Sequence, residues 1–211
     1  MKAFVYTGGA VRREGITEHP RGGDLAIAAD AGYETAVALG ERVDVLLGDF
    51  DSLAGRPEDM LRDTATEIIR VPAEKDDTDT QLAVEEAIRR GAEEIIIIGG
   101  LGGRLDHTLS TLAILEDLHA RGVYATLTDG QSRVRYLRSS STLIARSGYK
   151  YLSVLAADAV VKGVDIEGCK YPLKRATLRR ERQFAVSNEL TGNVAFVSVR
   201  RGGVFIIESS D

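Results

Sequence analysis

Two aspartates in one short segment have the spacing of metal ligands. Asp49 and Asp51 come shortly after the mainly apolar segment Val43–Leu47, so they are predicted to stand where a buried strand ends. Carboxylates at positions i and i+2 of a loop can both reach one hard cation. A polar turn that hydrogen-bonds to its own backbone explains the same pair equally well when the segment is considered alone.

A second acidic segment precedes a predicted helix. Asp76, Asp77 and Asp79 place three carboxylates within four residues, and their mutual repulsion costs stability unless a cation or a helix N-terminus compensates it. Asp77 or Thr78 is suited to cap the helix. Capping needs only one such residue, so we expect at least one carboxylate, best Asp79, to bind a metal.

The third segment, Gly99 to Gly103, contains four glycines and lies between an isoleucine-rich run and a long predicted helix. Glycines let backbone amides approach a phosphate closely, and the following helix N-terminus favours an anion. Arg104 adds a planar cation suited to phosphate. The segment lacks the Gly-Lys-Ser/Thr of a P-loop, and Leu105 stands where a dinucleotide-binding fingerprint needs glycine. Asp106 is a candidate helix cap, metal ligand or proton acceptor.

Together these segments indicate one kind of reaction. Carboxylates hold Mg²⁺, Mg²⁺ neutralises phosphate oxygens, and a glycine-arginine loop binds the rest of a polyphosphate. Their convergence predicts nucleotide-dependent transfer of a phosphoryl or pyrophosphoryl group.

The elements that position these segments alternate between strand and helix up to about residue 130. Predicted strands are Lys2–Tyr6, Leu25–Ala29, Val43–Leu47, Glu67–Val71, Ile95–Ile98 and Tyr124–Thr128, and predicted helices run to Leu39, from Thr78 to Arg90 and from Leu105 to Ala120. This order is typical of an α/β domain with a mostly parallel sheet. Parallel strands end at one sheet edge, so the three segments should lie there together.

Residues 131–211 follow a different pattern and are predicted to form a second domain, an all-β sandwich or barrel. The predicted strands are Val134–Leu137, Thr142–Ala145, Tyr149–Leu155, Val160–Ile166, Phe184–Val186, Val194–Val199 and Val204–Ile207. Charge also divides near this boundary. Residues 1–128 carry 13 basic and 24 acidic side chains, whereas residues 129–211 carry 14 and 8.

Composition excludes several classes of protein. The 211 residues carry a formal net charge of −5 and include one cysteine, Cys169, so an intrachain disulfide or a multi-cysteine zinc site is excluded. No apolar stretch approaches the roughly 20 residues of a membrane-spanning helix, and no secretory signal is visible. We therefore expect a cytoplasmic protein that uses neither membrane nor nucleic acid as a partner.

The motifs resemble the bacterial type of the thiamine pyrophosphokinase family. The resemblance rests on LLGDFDSL, EKDDTDTQLA, GGLGGRLDHTLSTL and the weaker KYPL…VSNEL, in the family's order over nearly the whole chain. It implies pyrophosphoryl transfer from ATP to the hydroxyl of thiamine, giving thiamine diphosphate and AMP with Mg²⁺. It also implies a nucleotide- and metal-binding α/β catalytic domain, residues 1–130, and a β-sandwich domain, residues 131–211, for substrate binding and for homodimer formation.

The resemblance assigns residues by position. Catalytic candidates are Asp51, Asp79 and Asp106, and metal candidates are Asp49, Asp51, Asp79, Asp77 and Asp30. The resemblance assigns Lys75, Gln81 and Arg104 to nucleotide binding and Ser187 and Asn188 to thiamine binding. The glycine loop by itself adds Gly102, Gly103 and, as a contact residue, His107 to the nucleotide-binding candidates. The chain departs from the family where Ala31 replaces a frequent glycine and Thr111 a frequent asparagine.

Two other functions are compatible with the same residues. A different small alcohol could accept the phosphoryl or pyrophosphoryl group, or the protein could sense nucleotide without turnover. The basic residues between Lys170 and Arg182 could suggest nucleic-acid binding, but aromatic residues among them are few, so a solvated strand face is the preferred interpretation.

Overall fold

The computed structural model describes residues 1–50, 65–74 and 76–211. These residues contain three α-helices and thirteen strands. They divide into two compact units, Met1–Gly130 and Gln131–Asp211.

The first unit is built on six parallel strands in the order β4-β3-β2-β1-β5-β6. Their bounds are Lys2–Tyr6 for β1, Leu25–Ala29 for β2, Val45–Gly48 for β3, Glu67–Arg70 for β4, Glu94–Ile98 for β5 and Tyr124–Thr128 for β6. The predicted parallel α/β architecture is therefore confirmed.

The three helices begin and end close to the predicted positions. They are α1, Gly32–Leu39; α2, Asp79–Arg89; and α3, Leu105–Ala120. Gly40 follows the last residue of α1, and its φ of 77° is the left-handed conformation common at helix C-termini. No helix in the described part of the chain is long and apolar enough to cross a membrane.

The central strands of the first unit are almost entirely buried. Residues Ile95 to Ile98 in β5 and Leu25 to Ala29 in β2 are each at most 9% exposed. Such continuous apolar runs, without alternation, are typical of parallel strands covered on both faces. Burial therefore fixes the carboxyl ends of β1, β2 and β5, and with them the loops that follow.

The second unit consists of antiparallel strands in two sheets, β7-β13-β9 and β11-β10-β12-β8. The bounds are Ser132–Arg138 for β7, Ser141–Ala145 for β8, Tyr151–Ala156 for β9, Val160–Glu167 for β10, Leu173–Arg179 for β11, Val194–Arg201 for β12 and Gly203–Ser209 for β13. One apolar cluster joins alternate residues of both sheets, among them Val154, Val164, Val197 and Ile206. A shared core of this kind makes the unit a β-sandwich.

Two details of this unit differ from the prediction. Phe184–Val186 is not a strand, although the carbonyl of Ala185 accepts a hydrogen bond from Val154 N at 2.8 Å. Leu173–Arg179 is a strand that the apolar pattern did not predict, because only Leu178 in it is buried. Its basic residues occupy a solvated strand, in agreement with the interpretation preferred above.

Candidate active site

A cavity of about 370 Å³ lies at the carboxyl ends of β1, β2 and β5 and is also lined by residues at the start of α2 and α3. The chain crosses outward from β1 through β2 and β3 to β4, then returns to β5 on the other side of β1. This reversal is the topological switch point at which open α/β sheets bind ligands.

Two glycine-containing loops meet at this cavity because neither carries a side chain where they touch. A Cβ atom added to Gly9, after β1, would lie 1.7 Å from the carbonyl oxygen of Gly99, after β5. The backbone of Thr7 donates to Ile98 O at 2.9 Å and so holds the two loops in place. This close approach of the backbones places residues of both loops on the cavity wall.

The second glycine loop leads directly into helix α3. Gly102 and Gly103 have φ values of 80° and 68°, a conformation that favours glycine. Arg104 follows at the N-cap position and, with His107, lines the cavity. An arginine beside the first turn of a helix is an arrangement suited to an anion.

Arg104 and Asp106 form an ion pair at the N-terminus of α3. Arg104 Nη2 lies 2.6 Å from Asp106 Oδ2, and both side chains are more than 60% exposed. The guanidinium hydrogen bond lowers the pKa of Asp106 below its ordinary value, and the carboxylate raises the pKa of Arg104. Asp106 is consequently a weak proton acceptor while this pair is intact.

Two of the predicted carboxylates, Asp30 and Asp79, line the same cavity. Asp30 follows β2 with a φ of 46° and donates its backbone N–H to Leu47 O at 2.8 Å. A Cβ atom on Gly48 would lie 3.1 Å from Asp30 Cβ. The ends of β2 and β3 therefore touch at Asp30 and Gly48, immediately before Asp49.

Helix α2 positions Asp79 through its cap. The hydroxyl of Thr78 accepts a hydrogen bond from Gln81 N at 3.2 Å, so Thr78 is the N-cap and Asp79 the first helical residue. Thr78, one of the two predicted caps, is confirmed in that role. Asp77 is exposed and does not line the cavity. Gln81 donates to Glu85 Oε1 at 3.1 Å and also lies off the cavity wall.

The remaining acidic candidates of the first unit have separate positions. Asp49 is half-buried beside Phe50 but is not part of the cavity lining. Asp51 and Lys75 lie outside the described residues. Across residues 1–50, 65–74 and 76–211, no group of three or more His, Cys, Asp or Glu side chains is arranged to hold a metal ion.

Comparisons with known proteins agree with this architecture. Residues 21–127 match the family model described as thiamin pyrophosphokinase, catalytic domain, and residues 140–204 match thiamin pyrophosphokinase, vitamin B1 binding domain. The chain belongs to the thiamine pyrophosphokinase family. Like its relatives in this family, it is a transferase of the pyrophosphokinase type.

Individual relatives cover the chain almost end to end. A thiamine pyrophosphokinase of Bacillus subtilis is 28% identical over 188 residues, covering 89% of this chain and 88% of the relative. The crystal structure of a Bacillus subtilis thiamine pyrophosphokinase superposes with a TM-score of 0.88 at 25% identity, covering 100% of both chains. That of a thiamin pyrophosphokinase family protein from Enterococcus faecalis gives a TM-score of 0.84 at 28% identity, again covering 100% of both.

The two thiamine-binding candidates of the second unit, Ser187 and Asn188, differ in exposure and in hydrogen bonding. Asn188 is 4% exposed, and its side chain accepts from Tyr171 N at 2.9 Å and Glu189 N at 3.0 Å and donates to Tyr171 O at 2.8 Å. These bonds tie two loops of the sandwich together. Ser187 is exposed, with a φ of 53°, and its backbone N–H donates to Ser153 Oγ at 3.0 Å. Of the two, Ser187 has the more accessible side chain.

The loop after β1 is part of the site, although no sequence motif indicated it. Thr7, Gly8 and Gly9 line the cavity together with the predicted segments. The signal in the sequence is a glycine pair close after a buried strand. Only three-dimensional neighbours explain it, since an added Cβ atom would lie 1.7 Å from Gly99 O at Gly9 and 2.9 Å from Ala31 Cβ at Gly8.

Proposed function

We propose that the protein transfers the pyrophosphoryl group of ATP to the hydroxyl of thiamine, releasing thiamine diphosphate and AMP. Family membership supports pyrophosphoryl transfer that forms thiamine diphosphate. The observation that carries the proposal to this chain is one cavity at the switch point, where two glycine loops meet Asp30, Asp79 and Arg104.

The glycine loops and the start of α3 are proposed to bind the triphosphate. Backbone amides of Gly9, Gly102 and Gly103 and the N-terminus of α3 supply donors without side-chain obstruction. Arg104 offers a planar fork to two phosphate oxygens. Because its current partner, Asp106, is exposed, a phosphate group can replace that carboxylate at small cost.

The donor set of the cavity fits Mg²⁺. This cation is held by one or two protein carboxylates together with waters and substrate phosphates rather than by a full protein cage. Asp30 and Asp79, which share the cavity wall, are a pair of that kind, and Asp49, Asp51 and Asp77 are further proposed ligands. When bound, the ion would neutralise negative charge on the phosphate oxygens.

In the transfer step, the thiamine hydroxyl oxygen forms a bond to the β-phosphorus. The bond from that phosphorus to the α,β-bridging oxygen breaks, and AMP leaves. We assign Asp106 as the acceptor of the hydroxyl proton. When phosphate oxygens bind Arg104, its guanidinium no longer pairs with Asp106, and this pairing is what lowers the Asp106 pKa. Binding of ATP would therefore make the carboxylate a better base.

The second unit is proposed to supply the thiamine subsite, with Ser187 at the ligand and Asn188 holding the loop beside it. The family resemblance further implies a homodimer in the cytoplasm, with the sandwich taking part in the subunit contact.

Product analysis tests the reaction. Incubation with ATP, Mg²⁺ and thiamine should release AMP and thiamine diphosphate in equal amounts, separable by chromatography. Asp79→Asn should lower kcat by roughly 100-fold or more. Asp76→Asn, a carboxylate of the same segment that does not line the cavity, is the matched control and should retain activity.

Two results would contradict the proposal. If unrelated small alcohols are turned over as fast as thiamine, thiamine is not the specific acceptor. If the protein binds nucleotide but releases no AMP, it is a nucleotide sensor and not an enzyme. If Asp79→Asn and Asp76→Asn lose activity to the same extent, the position of Asp79 on the cavity wall has no specific part in the reaction.

A further inference from the structure

Another cavity, of about 320 Å³, lies entirely within the second unit. It is lined by Thr177 and Arg179 of β11 and by Arg182 and Phe184, which follow that strand. None of these residues takes part in the reaction proposed above. The volume falls within the range of small-molecule sites, roughly 300–1,000 Å³.

A tight turn places the two arginines opposite each other. Arg182 N donates to Arg179 O at 3.0 Å, and the two residues form an isolated antiparallel bridge. Directly opposed residues of an antiparallel pair project their side chains from the same face. Leu178 is fully buried on the other face of β11, so Thr177 and Arg179 point outward.

This arrangement is electrostatically unfavourable in the protein alone, because like charges directly opposite each other destabilise a strand pair. Within the described parts of the chain, the carboxylate near Arg179 is that of Glu181, at 3.7 Å, and both side chains of that pair are more than half exposed. Among the residues that the structure describes, no carboxylate lies within 4.0 Å of Arg182. Between positions 170 and 184 there are six cationic side chains and one carboxylate.

Three other arginines of the same unit are each paired with an acid at short distance. Arg133 and Arg135 both contact the buried carboxylate of Glu208, at 2.8 and 2.7 Å, and Arg138 contacts Asp158 at 2.7 Å. Arg179 and Arg182 differ from these three in having no acid at such short range among the described residues, and they adjoin an aromatic ring, Phe184, that is 52% exposed.

We propose that this cavity binds a phosphorylated compound with a planar ring. The two guanidiniums bind the phosphate oxygens through paired N–H donors, and the ring packs on Phe184. An entering phosphate also relieves the repulsion between the arginines. Nucleotides and thiamine diphosphate share this chemistry, and the experiment below distinguishes them.

A unique fluorophore makes the site observable without turnover. The chain contains no tryptophan, so Phe184→Trp places its single indole in the cavity. Titration with AMP and with thiamine diphosphate separates the two sources, and quenching by at least one of them is expected. Unphosphorylated thiamine and inorganic pyrophosphate should each bind roughly tenfold or more weakly. Thiamine lacks the phosphate that the arginines bind, and pyrophosphate lacks the ring that packs on the aromatic side chain.

Arginine variants in this reporter background decide the assignment. Arg179→Gln with Arg182→Gln should weaken binding at least about tenfold, whereas Arg200→Gln, an exposed arginine of β12, should leave it unchanged. Arg182→Lys keeps the charge without the fork and should give an intermediate affinity. Circular dichroism melts should show the double variant at least as stable as its parent.

The proposal is overturned if the double variant and Arg200→Gln bind alike, or if neither phosphorylated ring compound quenches the indole. It is also overturned if thiamine binds as tightly as thiamine diphosphate, or pyrophosphate as tightly as both ring compounds. Loss of pyrophosphoryl transfer with normal quenching would instead contradict the proposed function alone.

Discussion

Arg104 forms a bidentate ion pair with the carboxylate of Asp106, with 3.2 Å between Nε and Oδ1 and 2.6 Å between Nη2 and Oδ2. The two residues flank Leu105 at the start of α3, and Arg104 lines the cavity. A phosphate that binds Arg104 must compete with this carboxylate. Anion binding and the proton affinity of Asp106 are therefore coupled through one side chain.

Removing the guanidinium should raise the pKa of Asp106. Arg104 is the principal cause of the lowered value, so in Arg104→Gln the carboxyl should protonate at higher pH, nearer the ordinary 3.8. Asp106 stays ionised at neutral pH in both proteins. Carboxyl chemical shifts followed by NMR across the acidic range check this, and Arg104→Lys should shift less. An unchanged titration would show that the contact has no influence on the carboxyl.

Gly9→Ala should disrupt the meeting of the two glycine loops. The added methyl group would lie 1.7 Å from Gly99 O, and backbone must move to admit it. We expect a loss of about 1–3 kcal/mol in the free energy of unfolding together with weakened ATP binding. Gly22→Ala, where no atom lies within 4 Å of the new methyl, is the control. Equal behaviour of the two variants in denaturant titrations would refute the close contact.

Thr78→Ala should destabilise the start of α2. Its hydroxyl accepts the Gln81 N–H at 3.2 Å, and loss of an N-cap costs about 1 kcal/mol. Because Asp79 is the next residue, the apparent Mg²⁺ dependence of the reaction should shift to higher concentration. Thr78→Ser keeps the hydroxyl and should restore both properties. Urea unfolding and activity at varied Mg²⁺ measure the two effects.

Asn188→Ala should lower stability as well as affect thiamine. Its side chain satisfies Tyr171 N, Tyr171 O and Glu189 N in a buried position, so truncation should cost about 2 kcal/mol or more. Ser187→Ala retains the backbone bond to Ser153 and should change the KM for thiamine without lowering the melting temperature. A normal melting temperature for Asn188→Ala, with only KM raised, would make Asn188 a direct ligand contact.

The extent of prediction from sequence differs between the two units. Helix α3 and strands β1, β2 and β6 were predicted to the residue, because buried parallel strands and glycine-terminated helices leave strong local patterns. Phe184–Val186 was wrong as a strand and Leu173–Arg179 was missed. The apolar content of a segment indicates whether it is buried, not whether it pairs with another strand. At the edge of a sandwich a strand can be mostly exposed, and an apolar segment can lie outside the sheets.

The amino-acid sequence alone determined most element types, namely all but Phe184–Val186 and Leu173–Arg179, and the α/β architecture with its following sandwich. It also determined the segments that carry carboxylates, glycines and Arg104, since each depends on residues within one turn or one strand. Only the tertiary structure decided that Gly9 touches Gly99, that Asp30 and Asp79 share a wall while Asp77 and Gln81 do not, and that Arg179 faces Arg182. Those relationships depend on strand order and on side-chain direction across distant segments, and neither quantity is encoded in the spacing of residues along a single stretch of chain.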